Sequence, residues 1–146
     1  MSLKEKSEFR CNSCKKLLAV ADDVYYEVKC HRCGSLNYIF NQIEEQIVIT
    51  DIEGKILFAN ELVEKITGYS MSEIIGKRPS LWGSQMPKEF YQHLWKTIKD
   101  EKKSISVVVK NKRKDGVMYK AELHISPIVD TSGQILFFVG IEKVVD

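Results

Sequence analysis

The stretch from Ile105 to Pro127 constrains the fold more than any other part of the chain. Ile105, Val107, Val108 and Val109 are strand formers, and Met118 to Ile125 alternates loosely between apolar and polar residues. Between these runs, Lys114-Asp115-Gly116 supplies an Asp-Gly pair, the strongest short-range hairpin signal. Lys110, Lys112, Arg113 and Lys114 at its end are expected to form a solvated basic rim.

Similar signals recur on either side. Gln46 to Asp51 and Lys55 to Ala59 are predicted strands joined at Glu53-Gly54, and Gln134 to Glu142 is a further strand after a turn at Thr131-Ser132-Gly133. The last strand is almost continuously apolar, which predicts a central position covered on both sides. Helices fill the middle. Asn60 is a good N-cap for a helix with Leu62, Val63 and Ile66 on one face, ending at Gly68. A single turn follows over Ser72 to Ile75, closed by Gly76, and then an irregular segment through Trp82. Pro87 opens a helix reaching Glu101, with Phe90, Leu94, Trp95 and Ile98 on one face. The order strand, strand, helices, strand, strand, strand predicts an α+β fold. Its five-stranded antiparallel sheet carries helices on one side and encloses a small interior that can hold a ligand.

The first quarter of the chain is organised differently. Cys11, Cys14, Cys30 and Cys33 form two C-x2-C pairs, a spacing that fits a structural zinc site of four thiolates. Gly34 follows the second pair, where a positive φ helps close a metal knuckle. The intervening residues read as two short strands around an Ala-Asp-Asp turn. So small a module cannot bury enough surface to fold alone, and zinc supplies the deficit. Sulfur fills all four positions, which leaves His31 unneeded and no open position for catalysis. Disulfides belong to secreted chains, and a redox C-x2-C does not need a second pair. The predicted organisation is a zinc-binding module over residues 1–42 and a larger domain over residues 43–146.

The segments Phe9-Arg10-Cys11-Asn12-Ser13-Cys14-Lys15-Lys16-Leu17-Leu18 and Glu27-Val28-Lys29-Cys30-His31-Arg32-Cys33-Gly34-Ser35-Leu36-Asn37 resemble the Com family of small phage zinc proteins. These are translational activators that bind messenger RNA. The resemblance covers residues 9–40 and implies a zinc-ribbon or knuckle fold, with RNA or DNA as a candidate partner. Arg10, Lys15, Lys16, Lys29 and Arg32 would be the contacting cations. Charge tempers that expectation. Residues 1–42 hold seven Lys and Arg against five Asp and Glu, and four thiolates with one Zn2+ cancel the excess. Nucleic-acid binders normally carry a clear positive surplus.

Residues 43–146 resemble a PAS domain, a sensory module of bacterial signalling. The resemblance rests on Ile49-Thr50-Asp51-Ile52-Glu53-Gly54-Lys55-Ile56, Ala59-Asn60, Thr67-Gly68-Tyr69-Ser70, Glu73-Ile74-Ile75-Gly76-Lys77, Phe90-Tyr91, Leu94-Trp95, Asn111-Lys112-Arg113-Lys114-Asp115-Gly116 and Ser126-Pro127-Ile128. It implies a sensor that binds flavin, haem or a small metabolite, or stays empty and acts by dimerisation, and that forms homodimers or signals to an output protein. The absence of an apolar leader or span in the sequence adds the expectation of a cytoplasmic location. The Asn-x-Arg-Lys-Asp segment and the following Tyr-x-x-Glu-Leu are similar to those of flavin-binding redox sensors of nitrogen-fixation control. That likeness implies a flavin contact at Asn111, whose amide both donates and accepts. The other reading of Asn111 is a strand-end residue satisfied by backbone. The chain departs from those sensors at Ser104-Ile105-Ser106, where they carry a Trp-x-Gly pattern. It also departs from cysteine-based light sensors, with Gly76-Lys77-Arg78-Pro79-Ser80 and no cysteine beyond Cys33.

Haem ligation is not expected of His93 or His124, which are read as surface or hydrogen-bonded residues. Trp82 and Trp95 are read as core or cavity wall. No nucleophile elbow, phosphate loop or paired-carboxylate motif is present in the sequence, so an enzyme is not expected. Neither a membrane span nor a signal peptide is expected.

Overall fold

The computed structural model of the chain describes residues 7–10, 13–21, 27–29, 32–33, 36–38 and 44–145. The chain divides into two units, residues 1–43 and 44–146. In the first, β1 (Ser7–Arg10) pairs antiparallel with β2 (Leu17–Ala21), and β3 (Glu27–Lys29) with β4 (Leu36–Tyr38). Cys14 and Cys33 therefore sit where the chain reverses between two strands. The two short strands expected around the Ala-Asp-Asp segment are present as β2 and β3. Among the described residues they do not pair with each other, and each pairs with its neighbour across a cysteine turn. The Asp-Asp segment itself, and Cys11, Cys30, His31 and Gly34, lie outside the described residues. Lys15, directly after Cys14, takes a left-handed conformation with φ 61°, a state that costs a residue with a Cβ on the order of 1 kcal/mol.

The second unit is a sheet of five strands: β5 (Gln46–Thr50), β6 (Ile56–Ala59), β7 (Ile105–Lys112), β8 (Met118–Val129) and β9 (Ile135–Val145). Their spatial order is β6-β5-β9-β8-β7, all antiparallel. Its three hairpin turns share one construction. Gly54, Gly116 and Gly133 have φ between 84° and 90°, and each donates its N–H to the carbonyl three residues earlier, that of Asp51, Arg113 and Asp130. This is a turn followed by one left-handed residue, a three-residue hairpin loop rather than the two-residue Asp-Gly form. Asp51 and Asp130 lock two of the loops by accepting backbone N–H bonds from residues two and four positions on, at 2.8–2.9 Å. The Ser132 hydroxyl, together with the Gln134 and Ser132 N–H groups, holds the Asp130 carboxyl below the usual carboxylate range.

Three helices follow β6: α1 (Glu61–Thr67), α2 (Met71–Ile74) and α3 (Lys88–Trp95). Gly68 ends α1 in the left-handed conformation at φ 81°. Asn60 stands at the N-cap but does not cap with its side chain. Its amide instead bridges to β5, accepting from the Ile47 N–H at 3.1 Å and donating to the Glu45 carbonyl at 2.7 Å. The long helix expected to reach Glu101 changes character at Lys96–Asp100, where it widens to a π turn closed by Glu101 N–H on the Lys96 carbonyl.

The helices cover one face of the sheet. Ile56, Val63, Ile74 and Trp82 form one part of the core, and Leu94, Ile98 and Phe138 another. Burying one such isoleucine stabilises by about 1.5–3 kcal/mol. β9 is central, as its apolar run predicts, but it is not covered on both sides. Leu136 and Phe137 are 43% and 41% exposed. The other face of the sheet is open and also displays Val108 and Ile128, which alternate with the core-packed Val107, Val109 and Ile125.

The basic hairpin end is only partly a solvated rim. Lys110 and Lys112 are exposed. Arg113 instead donates to the Ile66 carbonyl at 2.9 Å and stacks over the Tyr119 ring. Lys114 pairs with Glu73 at 2.7 Å, and its N–H bonds to the Thr67 carbonyl. The β7–β8 hairpin is thereby tied to the α1–α2 connection.

Candidate functional site

A cavity of about 750 Å³ lies between the sheet and the helices, within the usual range of small-molecule sites, about 300–1,000 Å³. Most of its wall is apolar: Val48, Ile52, Trp82, Leu94, Trp95, Ile98, Val109, Leu123, Ile125 and Phe138. Trp95 meets Phe138 edge to face with ring centres 5.7 Å apart. Gly54 lets the indole approach, since a Cβ there would stand 3.1 Å from it. Arg78 and Lys99 also line the cavity, with Glu53 and Tyr91.

One end is polar and dry. Gln46, Asn111 and Glu142 arrive from β5, β7 and β9 and are 1%, 3% and 9% exposed. Gln46 and Glu142 are directly opposed across the β5–β9 ladder. Asn111 lies opposite Tyr119 and Glu142 opposite Leu123 on β8, so the small Ala121 stands between them on the same face. The Asn111 Nδ2 donates to Glu142 Oε1 at 2.6 Å. Desolvation is the main influence on Glu142 and raises its carboxyl to about 7, against the opposing pull of Asn111 and Gln46. Burial and the neighbouring Glu142 likewise push the Tyr119 hydroxyl up. Gln46 Nε2 and Tyr119 Oη are buried without a complete hydrogen bond among the described residues. A buried amide donor left unpaired costs about 1–3 kcal/mol, so this end of the cavity is primed for a ligand with matching polar edges.

Residues 36–144 match the PAS fold family. The chain belongs to the PAS family. Residues 5–43 match a second family, described as Mu-like prophage protein Com. The PAS region is 28% identical over 108 residues to a nitrogen fixation regulatory protein of Klebsiella oxytoca, covering 71% of this chain and 22% of that protein. It is 41% identical over 101 residues to a blue-light photoreceptor of Listeria monocytogenes, covering 66% and 39%. In structure it resembles a PAS domain from Colwellia psychrerythraea with TM-score 0.66 and 22% identity, covering 73% of this chain and 91% of that one. The chain thus spans about 22% to 39% of the length of these two curated relatives. They are a regulator and a photoreceptor, and the PAS unit is a sensor-type domain of the same fold.

Within the PAS unit, Asn111 faces the cavity and bonds a carboxylate, not backbone. Trp82 and Trp95 are cavity wall, as expected. Neither His93 nor His124 lines the cavity. His93 is exposed, and His124 engages Ser106 and Ser126 at 2.7 and 3.1 Å on the surface. Gln46 and Glu142 escaped the sequence reading. The available signal was a polar residue at the start of one apolar strand and near the end of another.

In the N-terminal unit, Cys14 and Cys33 both occupy tight turns between paired strands. Arg10, Lys15, Lys16 and Arg32 are exposed. The Arg10 guanidinium reaches back to the Lys15 carbonyl at 3.3 Å across the first cysteine turn. Lys29 lies in β3. No helix among the described residues is long and apolar enough to cross a membrane.

Proposed function

We propose that this chain is a sensory regulator. Its PAS unit, over residues 43–146, takes a flavin-type heteroaromatic ligand into the cavity, and its first 42 residues form a structural zinc module. The observation that carries the ligand reading is the buried trio Gln46, Asn111 and Glu142 at the end of an otherwise apolar cavity. The isoalloxazine ring has an apolar benzenoid end and a pyrimidine end rich in carbonyls and ring nitrogens. The chain presents the same polarity: Trp82, Leu94, Ile98 and Phe138 on the walls, amide donors at Gln46 and Asn111 at the end. When bound, flavin supplies redox- and light-responsive chemistry. Residues 44–146 contain no cysteine, so the PAS unit supplies no thiol of its own for a flavin adduct, which favours redox sensing. The resemblance to nitrogen-fixation and blue-light regulators supports the same reading.

β9 carries Glu142 toward the cavity and neighbouring apolar residues toward the open face of the sheet, so ligand state can reach that face through one strand. The output is protein interaction across it, with a second copy or an output protein, and not catalysis. The zinc ligands are Cys11, Cys14, Cys30 and Cys33, whose four thiolates suit a closed tetrahedral site. A second reading rests on the Com match and the exposed Arg10, Lys15, Lys16 and Arg32: the zinc module, with Lys29, binds RNA or DNA.

The test of the sensor reading is reconstitution of the purified chain with flavin, followed by gel filtration and a visible spectrum. Co-elution of a flavin band with the protein is expected. Loss of all flavin on the column, with the chain folded by circular dichroism, would reject it.

A further inference from the structure

The polar end of the cavity holds a carboxyl in an unusual position. Glu142 sits on the central strand, 9% exposed, with Asn111 Nδ2 on one oxygen and Gln46 opposite it. Among the described residues no lysine, arginine or histidine engages it. The other ionisable groups lining the cavity are Glu53 from the β5–β6 turn, Arg78 before Pro79, Tyr91 on α3 and Lys99 in the π turn. On β8 the ionisable group on the same face is Tyr119, with Arg113 held over its ring, while Glu122 and His124 alternate to the opposite face. None of these sets the acidity of Glu142, which follows from burial, Asn111 and Gln46.

A carboxylate offers acceptors only, whereas a carboxylic acid can donate one hydrogen bond. The edge of a flavin that meets amide donors is itself mostly acceptor. An ionised Glu142 would place a second set of lone pairs against it in a dry site, where an unmatched polar contact is costly.

Resting on the flavin reading of the cavity, we infer that the ligand binds with Glu142 in its neutral acid form, so that binding takes up one proton and the sensor couples ligand occupancy to pH. The carboxyl donates its hydrogen to a ring acceptor while Asn111 continues to donate to its other oxygen. The proton comes from solvent and is returned on release; no bond of the ligand is broken.

Burial has brought the free carboxyl to about 7, so both forms are populated near neutrality. Apparent affinity scales with the fraction of chain in the competent form, which gives about a tenfold loss between about pH 6 and about pH 8.

The experiment is a fluorescence titration of the full chain with riboflavin, which lacks a phosphate that would titrate in the same range. About tenfold weaker binding is expected at the higher pH. Glu142→Gln, which keeps the shape and supplies a permanent donor, should bind with a flat profile. In weakly buffered solution at the higher pH, an indicator dye should report about one proton taken up per riboflavin bound by the unaltered chain. This second measurement needs no variant to fold. Riboflavin binding that is independent of pH, stronger at high pH, or free of proton uptake overturns the inference and leaves the flavin reading standing. Absence of binding by either protein at every pH overturns both.

Discussion

Glu142→Gln also has a consequence for folding that needs no ligand. The carboxyl stands near 7 in the folded chain against an ordinary 4.5. Between those values the folded PAS unit keeps a proton that the unfolded chain has released. Stability from this group is therefore fully present below the lower value, declines as pH rises through the window, and levels off above the upper one. The gap corresponds to about 3 kcal/mol. Glutamine does not titrate, so the variant should gain about 3 kcal/mol relative to the unaltered chain on going from about pH 4 to about pH 8. Urea unfolding followed by tryptophan fluorescence isolates the effect. The chain's two tryptophans, Trp82 and Trp95, both lie in the PAS unit, and contributions shared by the two proteins cancel in the difference. A difference in unfolding free energy that stays constant across this range, or moves in favour of glutamate as pH rises, would refute the account of a desolvated, charge-isolated carboxyl.

Gly54→Ala and Gly133→Ala separate backbone strain from steric conflict. Both glycines have φ 84°, but only at Gly54 would the new Cβ meet the Trp95 ring, at 3.1 Å. Gly133→Ala should cost about 1 kcal/mol, and Gly54→Ala more, with a change in Trp95 emission; equal losses in urea unfolding would contradict the packing role of Gly54. Cys11→Ser should release the metal, read as zinc per chain by elemental analysis, and retention of one zinc per chain would reject the four-thiolate site. For nucleic acid, filter binding should weaken steeply with salt and be lost in a chain altered at Arg10, Lys15 and Lys16; no retention at low salt would end that reading.

Much of the fold is local and therefore legible in the sequence. The Asp-x-x-Gly spacing at Asp51–Gly54 and Asp130–Gly133 carries its own turn, because the aspartate oxygen and the glycine's positive φ are both supplied within five residues. The ends of α1 at Asn60 and Gly68 are equally local. Asn60 nonetheless shows the limit: its position is fixed by sequence, but its hydrogen bonds run to β5. The failures are long-range. The docking of Arg113 on the Ile66 carbonyl joins residues 47 apart in the chain. The two short strands β2 and β3 were legible on either side of the Ala-Asp-Asp segment, whereas their partners, β1 and β4, are a choice that composition does not rank.

The sequence by itself determined that this chain has a four-cysteine module and a PAS domain of five strands, because turn chemistry, alternation and cysteine spacing act over a few residues. Only the tertiary structure decided where the chemistry lies. The β6-β5-β9-β8-β7 order brings Gln46, Asn111 and Glu142 together from three strands, and a glutamate in an apolar run becomes a protonatable cavity wall. That outcome depends on burial and on which strands are neighbours, and neither is a property of any short stretch of chain.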